Sequence, residues 1–375
     1  MASTATTASV MVVGCGYPGR SMGHYHCYQI VEQQDSKTTP TMTLSYVVEP
    51  WYMGRAPESS PGADIFDDWR KRMEETHGVQ FFSSVRDVPP LKDGERRLAI
   101  ISARTADNPQ LVMDCLEHEG GCCHSIYLEK PGAPTVGELE AIRDAARAAG
   151  VDVYMGFNKN VAKYSTRTMA KSAVDGGHVT FVHNNSYGKD ELGECFERNS
   201  EGMLKNMAIH ELALLVTFYG VSTSTIEKVV ADKEYSSCQT LVGPSGKEFT
   251  DFDKLKFTIT TKDGAQVSIA ADRCGGDDSV GIVTDDTGHE TFRYSMPDED
   301  DLVNMKELEA KNPGANTYFY VQDPDYATLK ERIAKNCLDG SPAEGVATID
   351  VAIETLKVAE YLTPLLQEQL LTATN

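Results

Sequence analysis

Val10-Met11-Val12-Val13-Gly14-Cys15-Gly16-Tyr17-Pro18-Gly19 opens on an apolar run and closes on three glycines. The run is short and β-branched, as a buried strand is, and the residues after Gly19 pattern as a helix to about residue 34. A strand, a Gly-x-Gly-x-x-Gly turn and a helix in that order form the start of a dinucleotide-binding βαβ unit. The first glycine permits the tight turn, the second lets backbone approach a pyrophosphate, and the third lets helix and strand pack closely. The helix start then offers unpaired N–H groups to the phosphates. Residues 43–48 alternate as a second strand and end at Glu49. An acid there accepts hydrogen bonds from an adenosine ribose and repels a 2′-phosphate, so the reading favours NAD. Glu49 lies 30 residues beyond Gly19, where about 20 is usual, and a polar loop before Thr41 absorbs the excess. Arg55 follows closely and keeps NADP as the alternative.

Strand and helix continue to alternate outward from this unit. Short strands are predicted at 81–82, 98–102, 125–128 and 151–157, and helices at 67–77, 108–119 and 135–149. In the last helix Thr135 is placed to cap, Leu139, Ile142, Ala146 and Ala149 line one face, and Gly150 stops it. This alternation predicts an N-terminal α/β Rossmann domain, a doubly wound parallel sheet over residues 1–157. After about Asn160 the pattern changes to β-runs with hairpin signals at Lys262-Asp263-Gly264 and Asp286-Thr287-Gly288. A second, α+β domain over 158–375 is expected, with a largely antiparallel open sheet and helices, its C-terminal helix placed to pack back on the first domain. That domain is expected to bind substrate and to pair chains into a homodimer or homotetramer through its sheet.

The chain has 375 residues and a net charge of −21. Such a surface repels nucleic-acid phosphates and anionic membranes and suits a small-molecule substrate. No stretch approaches the roughly 18 apolar residues of a membrane span, and residues 1–9 carry no positive signal region. The nine cysteines lack metal-like spacing and read as reduced thiols in the cytoplasm. His24, His26 and Cys27 sit at the start of a helix with another task, so no metal is expected.

Further motifs carry a resemblance. Glu129-Lys130-Pro131 ends a strand, Gly156-Phe157-Asn158 ends the next, and Gly202-Met203-Leu204-Lys205-Asn206-Met207-Ala208-Ile209-His210-Glu211-Leu212 follows in the second half. With the glycine turn and a late Gly340-Ser341-Pro342, this pattern resembles the Gfo/Idh/MocA family, typified by glucose–fructose oxidoreductase and inositol dehydrogenase. The resemblance spans nearly the whole chain. It implies an NAD(P)-dependent dehydrogenase that moves a hydride between nicotinamide and a small hydroxylated or keto substrate, of the sugar, polyol or hydroxy-acid class. It implies Lys130 beside the nicotinamide and the substrate hydroxyl, and His210 as the proton-transfer group. A histidine titrates near neutral pH, and a lysine cation stabilises a developing alkoxide.

The chain departs from the family at two acids. Asn206 stands where an acid precedes the histidine by four, and Ala213 where one follows it by three. One helical turn would set Asn206 and His210 on a common face. The family's Thr-Pro-Asn stretch is here Ala103-Arg104-Thr105. The expected cofactor contacts are therefore Gly14, Gly16, Tyr17, Pro18, Gly19, Glu49, Ser102, Ala103, Arg104, Glu129 and Lys130. The expected catalytic set is Lys130, His210 and Asn206. Asn158, Lys159 and Lys205 are the substrate candidates; Lys159, Lys163 and Lys205, near the implied site in sequence, otherwise read as solvated surface lysines. His210 alone would read as a core histidine, because Leu212, Leu214, Leu215 and Val216 surround it. Two other functions fit the same fold: reduction of a C=N or conjugated C=C bond, and a dinucleotide sensor without turnover, to which Asn206 and Ala213 point.

Overall fold

A computed structural model describes residues 5–57 and 59–371. The chain folds as two compact units, residues 1–158 with 303–350 and residues 159–302 with 351–375. In the first unit β1 (Ala8–Val13), α1 (Met22–Ser36), β2 (Met42–Val48), α2 (Ala63–His77), β3 (Gln80–Phe82), β4 (Arg97–Ile101), α3 (Asn108–Leu116), β5 (Ser125–Leu128), α4 (Val136–Ala149) and β6 (Asp152–Met155) alternate. The six strands form one parallel sheet in the order β3-β2-β1-β4-β5-β6. That is the doubly wound order, and its direction reverses between β1 and β4, the place where such sheets bind ligands. The strands read as apolar runs because they are covered on both faces: Val10 to Val13 and Leu98 to Ile101 are fully buried.

Helix α4 shows how closely local sequence sets an element. The Thr135 hydroxyl accepts from the Glu138 N–H at 3.3 Å, and the Glu138 carboxylate accepts from the Thr135 N–H at 3.0 Å. This capping box contributes about 1 kcal/mol. Gly150 ends the helix at φ 67°. Leu139, Ile142 and Ala146 are buried as expected, whereas Ala149 is exposed, being past the last turn that faces the sheet.

The second unit starts with α5 (Lys163–Asp175) and β7 (His178–Asn184), followed by three helices, α6 (Leu192–Arg198), α7 (Met203–Asn206) and α8 (Ile209–Tyr219). Strands β8 (Ile226–Ala231), β9 (Ser237–Val242), β10 (Glu248–Thr261), β11 (Gln266–Asp272), β12 (Ser279–Thr284) and β13 (Glu290–Met296) complete it. The sheet order is β13-β12-β7-β11-β10-β8, with β9 also pairing β10. Every pairing is antiparallel except β7 with β11. Both expected hairpins are present, β10–β11 and β12–β13. Phe181 on β7 packs edge-on against Tyr164 of α5 and Tyr219 of α8, so these helices cover one face of the sheet.

Three helices end the chain: α9 (Glu299–Lys311), α10 (Thr317–Asp339) and α11 (Ile349–Leu371). The expected contiguous second domain 158–375 is interrupted here. Residues 303–350 join the first unit, because α10 packs on β1, β4, β5 and α1. Among the described residues no helix is long and apolar enough to cross a membrane.

Candidate functional site

The glycine turn leaves β1 with Gly14 at φ 76° and Gly16 at φ 66°, left-handed conformations that cost other residues about 1–3 kcal/mol. A Cβ on Gly14 would sit 2.7 Å from Ala103 Cα, so the turn and the loop after β4 touch through backbone. The close helix–strand approach does not fall on Gly19. It falls on Gly23, where a Cβ would meet the Gly14 carbonyl oxygen at 2.5 Å. Helix α1 starts only at Met22, so residues 17–20 form an extra turn, and Gly19 approaches Gly314 instead. Ser21 ties that turn down by accepting the Tyr17 N–H at 3.2 Å.

Beside the turn, at the carboxyl ends of β1, β2 and β4, lies a cleft of about 660 Å³. Of the residues named as cofactor contacts, Gly14, Gly16, Tyr17, Glu49, Ser102, Ala103 and Arg104 line it; Pro18, Gly19, Glu129 and Lys130 are not among its lining residues. Glu49 is buried at its floor. Its carboxylate accepts from the Gly16 N–H at 2.7 Å and the Trp51 N–H at 3.0 Å. Tyr17 packs edge-on against Tyr52 at 5.8 Å, and both line the wall. Arg55 and Arg104 are exposed at the rim, the latter paired with Asp107 at 2.9 Å. A left-handed glycine cradle, a buried acceptor and an aromatic wall fit a dinucleotide's pyrophosphate, ribose and base.

Lys130 follows β5 in a cis bond to Pro131 and is half-buried. Glu129 before it is buried. Its carboxylate accepts from the Tyr127 hydroxyl at 2.7 Å and from His26 Nε2 at 2.9 Å. Burial alone would raise the Glu129 pKa, but the His26 contact, Tyr127 and the Lys130 charge bring it below the usual carboxylate range. His24 packs edge-on against Trp69 at 4.9 Å, and burial, then Arg72, lowers its pKa to about 4. Among the described residues no group of His, Cys, Asp and Glu is arranged to hold a metal, and the nine cysteines are free thiols. Asn158 is buried and donates to Gln322 at 2.7 Å.

The second unit holds a buried charged cluster. Glu211 is fully buried. One carboxylate oxygen accepts from Tyr164 at 2.9 Å and pairs with Lys159 at 3.1 Å; the other meets His183 Nδ1 at 3.0 Å. Lys159 also donates to Ser279 at 2.8 Å. Burial would raise the Glu211 pKa, yet the charges of Lys159, His183 and His210 hold it well below the carboxylate range. The His210 ring is buried 6.4 Å from that of His183. Lys159 is therefore no solvated surface lysine. Lys163 and Lys205 are ion-paired, with Asp301 at 2.5 Å and Glu360 at 2.8 Å.

The expected helical turn from Asn206 to His210 is broken. Helix α7 ends at Asn206, Met207 and Ala208 intervene, and α8 starts at Ile209. The Asn206 amide donates to Glu201 at 2.9 Å. An acid absent at 206 and 213 is present as Glu211, the residue after the histidine. It stands in the sequence motif, one residue after the histidine, at a spacing the family resemblance does not mark. The sequence carries no signal for His183 beyond strand alternation, which marks only that it faces inward.

Known structures share this architecture. A myo-inositol dehydrogenase from Corynebacterium glutamicum matches with a TM-score of 0.64 at 17% identity, over 98% of this chain and 97% of that one. A scyllo-inositol dehydrogenase from Lactobacillus casei, solved with NAD(H) and scyllo-inositol, matches at 0.64 and 13%, over 98% of each. A probable dehydrogenase from Thermotoga maritima matches at 0.63 and 16%, over 97% of each. The two-unit fold is theirs. No protein-family model and no curated protein sequence matches the chain.

Proposed function

We propose that the chain is an NAD-dependent dehydrogenase of the Gfo/Idh/MocA type, oxidising a secondary alcohol of a small polyol or sugar, or reducing the matching ketone. The observation that carries this reading is the cleft at the β1–β4 switch, with left-handed Gly14 and Gly16 above the buried Glu49 carboxylate. The fold likeness to inositol dehydrogenases supports the substrate class.

NAD, when bound, supplies a hydride acceptor. The glycine turn would cradle the pyrophosphate through the backbone N–H groups that Glu49 does not already take, and Glu49 would accept from the ribose hydroxyls. Lys130 is the first unit's group for the developing alkoxide, and its cation lowers the cost of charge there. His210 is the second unit's group for the hydroxyl proton. Asn158, Lys159, Lys205 and Asn206 remain the substrate-side and catalytic candidates. Lys159 would act through its ion pair with Glu211.

The test offers polyols, sugars and hydroxy acids with NAD and reads nicotinamide reduction by absorbance. Reduction with a polyol or sugar is expected. Saturable NADH binding with no reduction by any of them would make the chain a dinucleotide sensor and overturn the enzyme reading.

The same reading places the protein in the cytoplasm, where free thiols persist, and pairs chains through the second-unit sheet. On β7, β10 and β12 the residues Thr180, Val182, Thr258 and Ile282 alternate with the inward set. Sedimentation equilibrium should return a dimer or tetramer; a monomer at micromolar concentration contradicts the pairing.

A further inference from the structure

A lysine with no assigned task is buried in the core of the first unit. Lys330 lies in the middle of α10 and is fully buried. Its ammonium meets His26 Nδ1 at 3.0 Å and Gln29 Oε1. Burial lowers its pKa to about 7 against the opposing pull of Asp323, Glu129 and Cys27. An amine this deep is rare unless its charge is matched.

The hydrogen bonds around it can be assigned one by one. Glu129 is ionised and can only accept, so His26 Nε2 carries the hydrogen that faces it. His26 Nδ1 must then accept from Lys330, which leaves the ring neutral. Burial, then the Lys330 charge, lowers the His26 pKa to about 4, in keeping with that state. On the other side Gln29 accepts from Lys330 through its oxygen. Its nitrogen therefore donates to the Asp323 carboxylate at 2.6 Å and the Asp323 carbonyl at 2.8 Å. Tyr25 donates to the same carboxylate at 2.8 Å. One cation thus stands between two carboxylates, joined to Glu129 by one imidazole and to Asp323 by one amide. The groups that face Lys330 are His26, Gln29 and Cys27 from α1, Asp323 and Tyr326 from α10, and Glu129 from the end of β5.

The far end of this chain is the turn that carries Lys130. The Glu129 carboxylate packs against the backbone at the β6 end: a Cβ on Gly156 would lie 2.9 Å from its Oε2. We propose that Lys330 is a positioning residue for the Glu129–Lys130 turn, acting through the neutral ring of His26. Its consequence for catalysis rests on the hydride-transfer reading of Lys130; the hold on the turn does not. When Lys330 loses its proton, this buried chain of bonds loses its one cation, and Glu129 keeps the charge of the neighbouring Lys130. The neutral amine can still donate to His26 Nδ1, but the bond is no longer charge-assisted, so the hold on the ring and on the turn weakens. The sign follows from a lysine whose pKa is lowered: the charge is present below about pH 7 and is lost as pH rises through it.

Amide hydrogen exchange of the full chain, read by mass spectrometry on the peptide holding residues 129–133, tests the hold without any substrate. In the native protein the protection factor of that peptide should fall severalfold between pH 6 and pH 8.5, after correction for intrinsic exchange. In Lys330→Met protection should be low, by about tenfold, and flat across that range. Lys330→Arg, which keeps the charge, should restore it. Equal protection in Lys330→Met and the native protein overturns the proposal. So does a loss of protection spread evenly through α1 and α10, which marks general destabilisation. If Lys330→Met fails to fold, the pH dependence in the native protein decides alone, and a flat profile there overturns the proposal. Catalysis is read separately: kcat should fall about tenfold in Lys330→Met with KM for NAD within about twofold. An unchanged kcat with a loosened turn would limit Lys330 to a structural part and overturn its positioning role. A native protein that turns over nothing while the exchange results hold would sink the hydride-transfer reading instead.

Discussion

Lys130→Ala is expected to lower turnover at least about a hundredfold, with the dissociation constant for NADH changed by no more than about threefold. A hundredfold is about 2.7 kcal/mol of lost transition-state stabilisation, ordinary for a positioned charge that meets a developing alkoxide. The small effect on binding follows from where the residue sits. Lys130 lies beyond the end of β5 and is not among the residues lining the cleft with Gly14, Gly16 and Glu49. The turn should survive the change, because Glu129 keeps its bonds to Tyr127 and His26. Steady-state kinetics on the best substrate of the panel, together with fluorescence titration of NADH, measures both quantities. A variant that retains more than about a tenth of native kcat removes Lys130 from the chemistry.

Glu211→Ala should cost the fold about 3–5 kcal/mol, the range for breaking a buried ion pair by removing one partner. Lys159, left buried without its carboxylate, can escape by losing its proton, and doing so at pH 7 costs about 4.6 kcal/mol, from 1.36 kcal/mol per unit over about 3.4 units. The pH dependence has a definite sign. Glu211 has a folded-state pKa well below its ordinary value, so its stabilisation is present above about pH 4.3 and is lost as pH falls toward the folded value. The gap between native protein and variant should therefore close in acid. Urea unfolding at several pH values measures it. A second change, Lys159→Met on Glu211→Ala, should recover part of the loss, because it removes the stranded charge. A loss under about 1 kcal/mol at pH 7 would show that the Lys159–Glu211–His183 cluster is not coupled as its distances indicate.

Much of the first unit was legible in sequence. Parallel strands buried on both faces read as apolar runs, and the capping box of α4 is a local code, so alternation and order could be followed. Gly14, Gly16 and Glu49 could be placed because a strand end and a turn fix them. The third glycine could not. Spacing points to Gly19, but clearance from the Gly14 carbonyl decides, and that belongs to Gly23 after an extra turn. The second unit was less legible, and for a physical reason. Lys159, His183 and Glu211 come from a single 3-10 turn, a strand and a helix, and their mutual burial leaves no periodic trace. Lys330 reads as one more charged residue on a long helix until α10 is laid against α1. Helix α10 itself leaves the second half of the chain for the first unit, which no local pattern announces.

Fluorescence titration of the native protein with NADH and with NADPH asks whether the cleft over Glu49 binds NAD. Ribose hydroxyls can donate to the buried Glu49 carboxylate, whereas a 2′-phosphate would be repelled by it. Saturable binding of one NADH per chain is expected, at least about tenfold tighter than NADPH, a difference of about 1.4 kcal/mol. NADPH binding tenfold tighter than NADH would pass the recognition to Arg55 or Arg104 and refute the role of Glu49. No saturable binding of either dinucleotide would show that this cleft is not a dinucleotide site and that the chain is not an NAD-dependent enzyme.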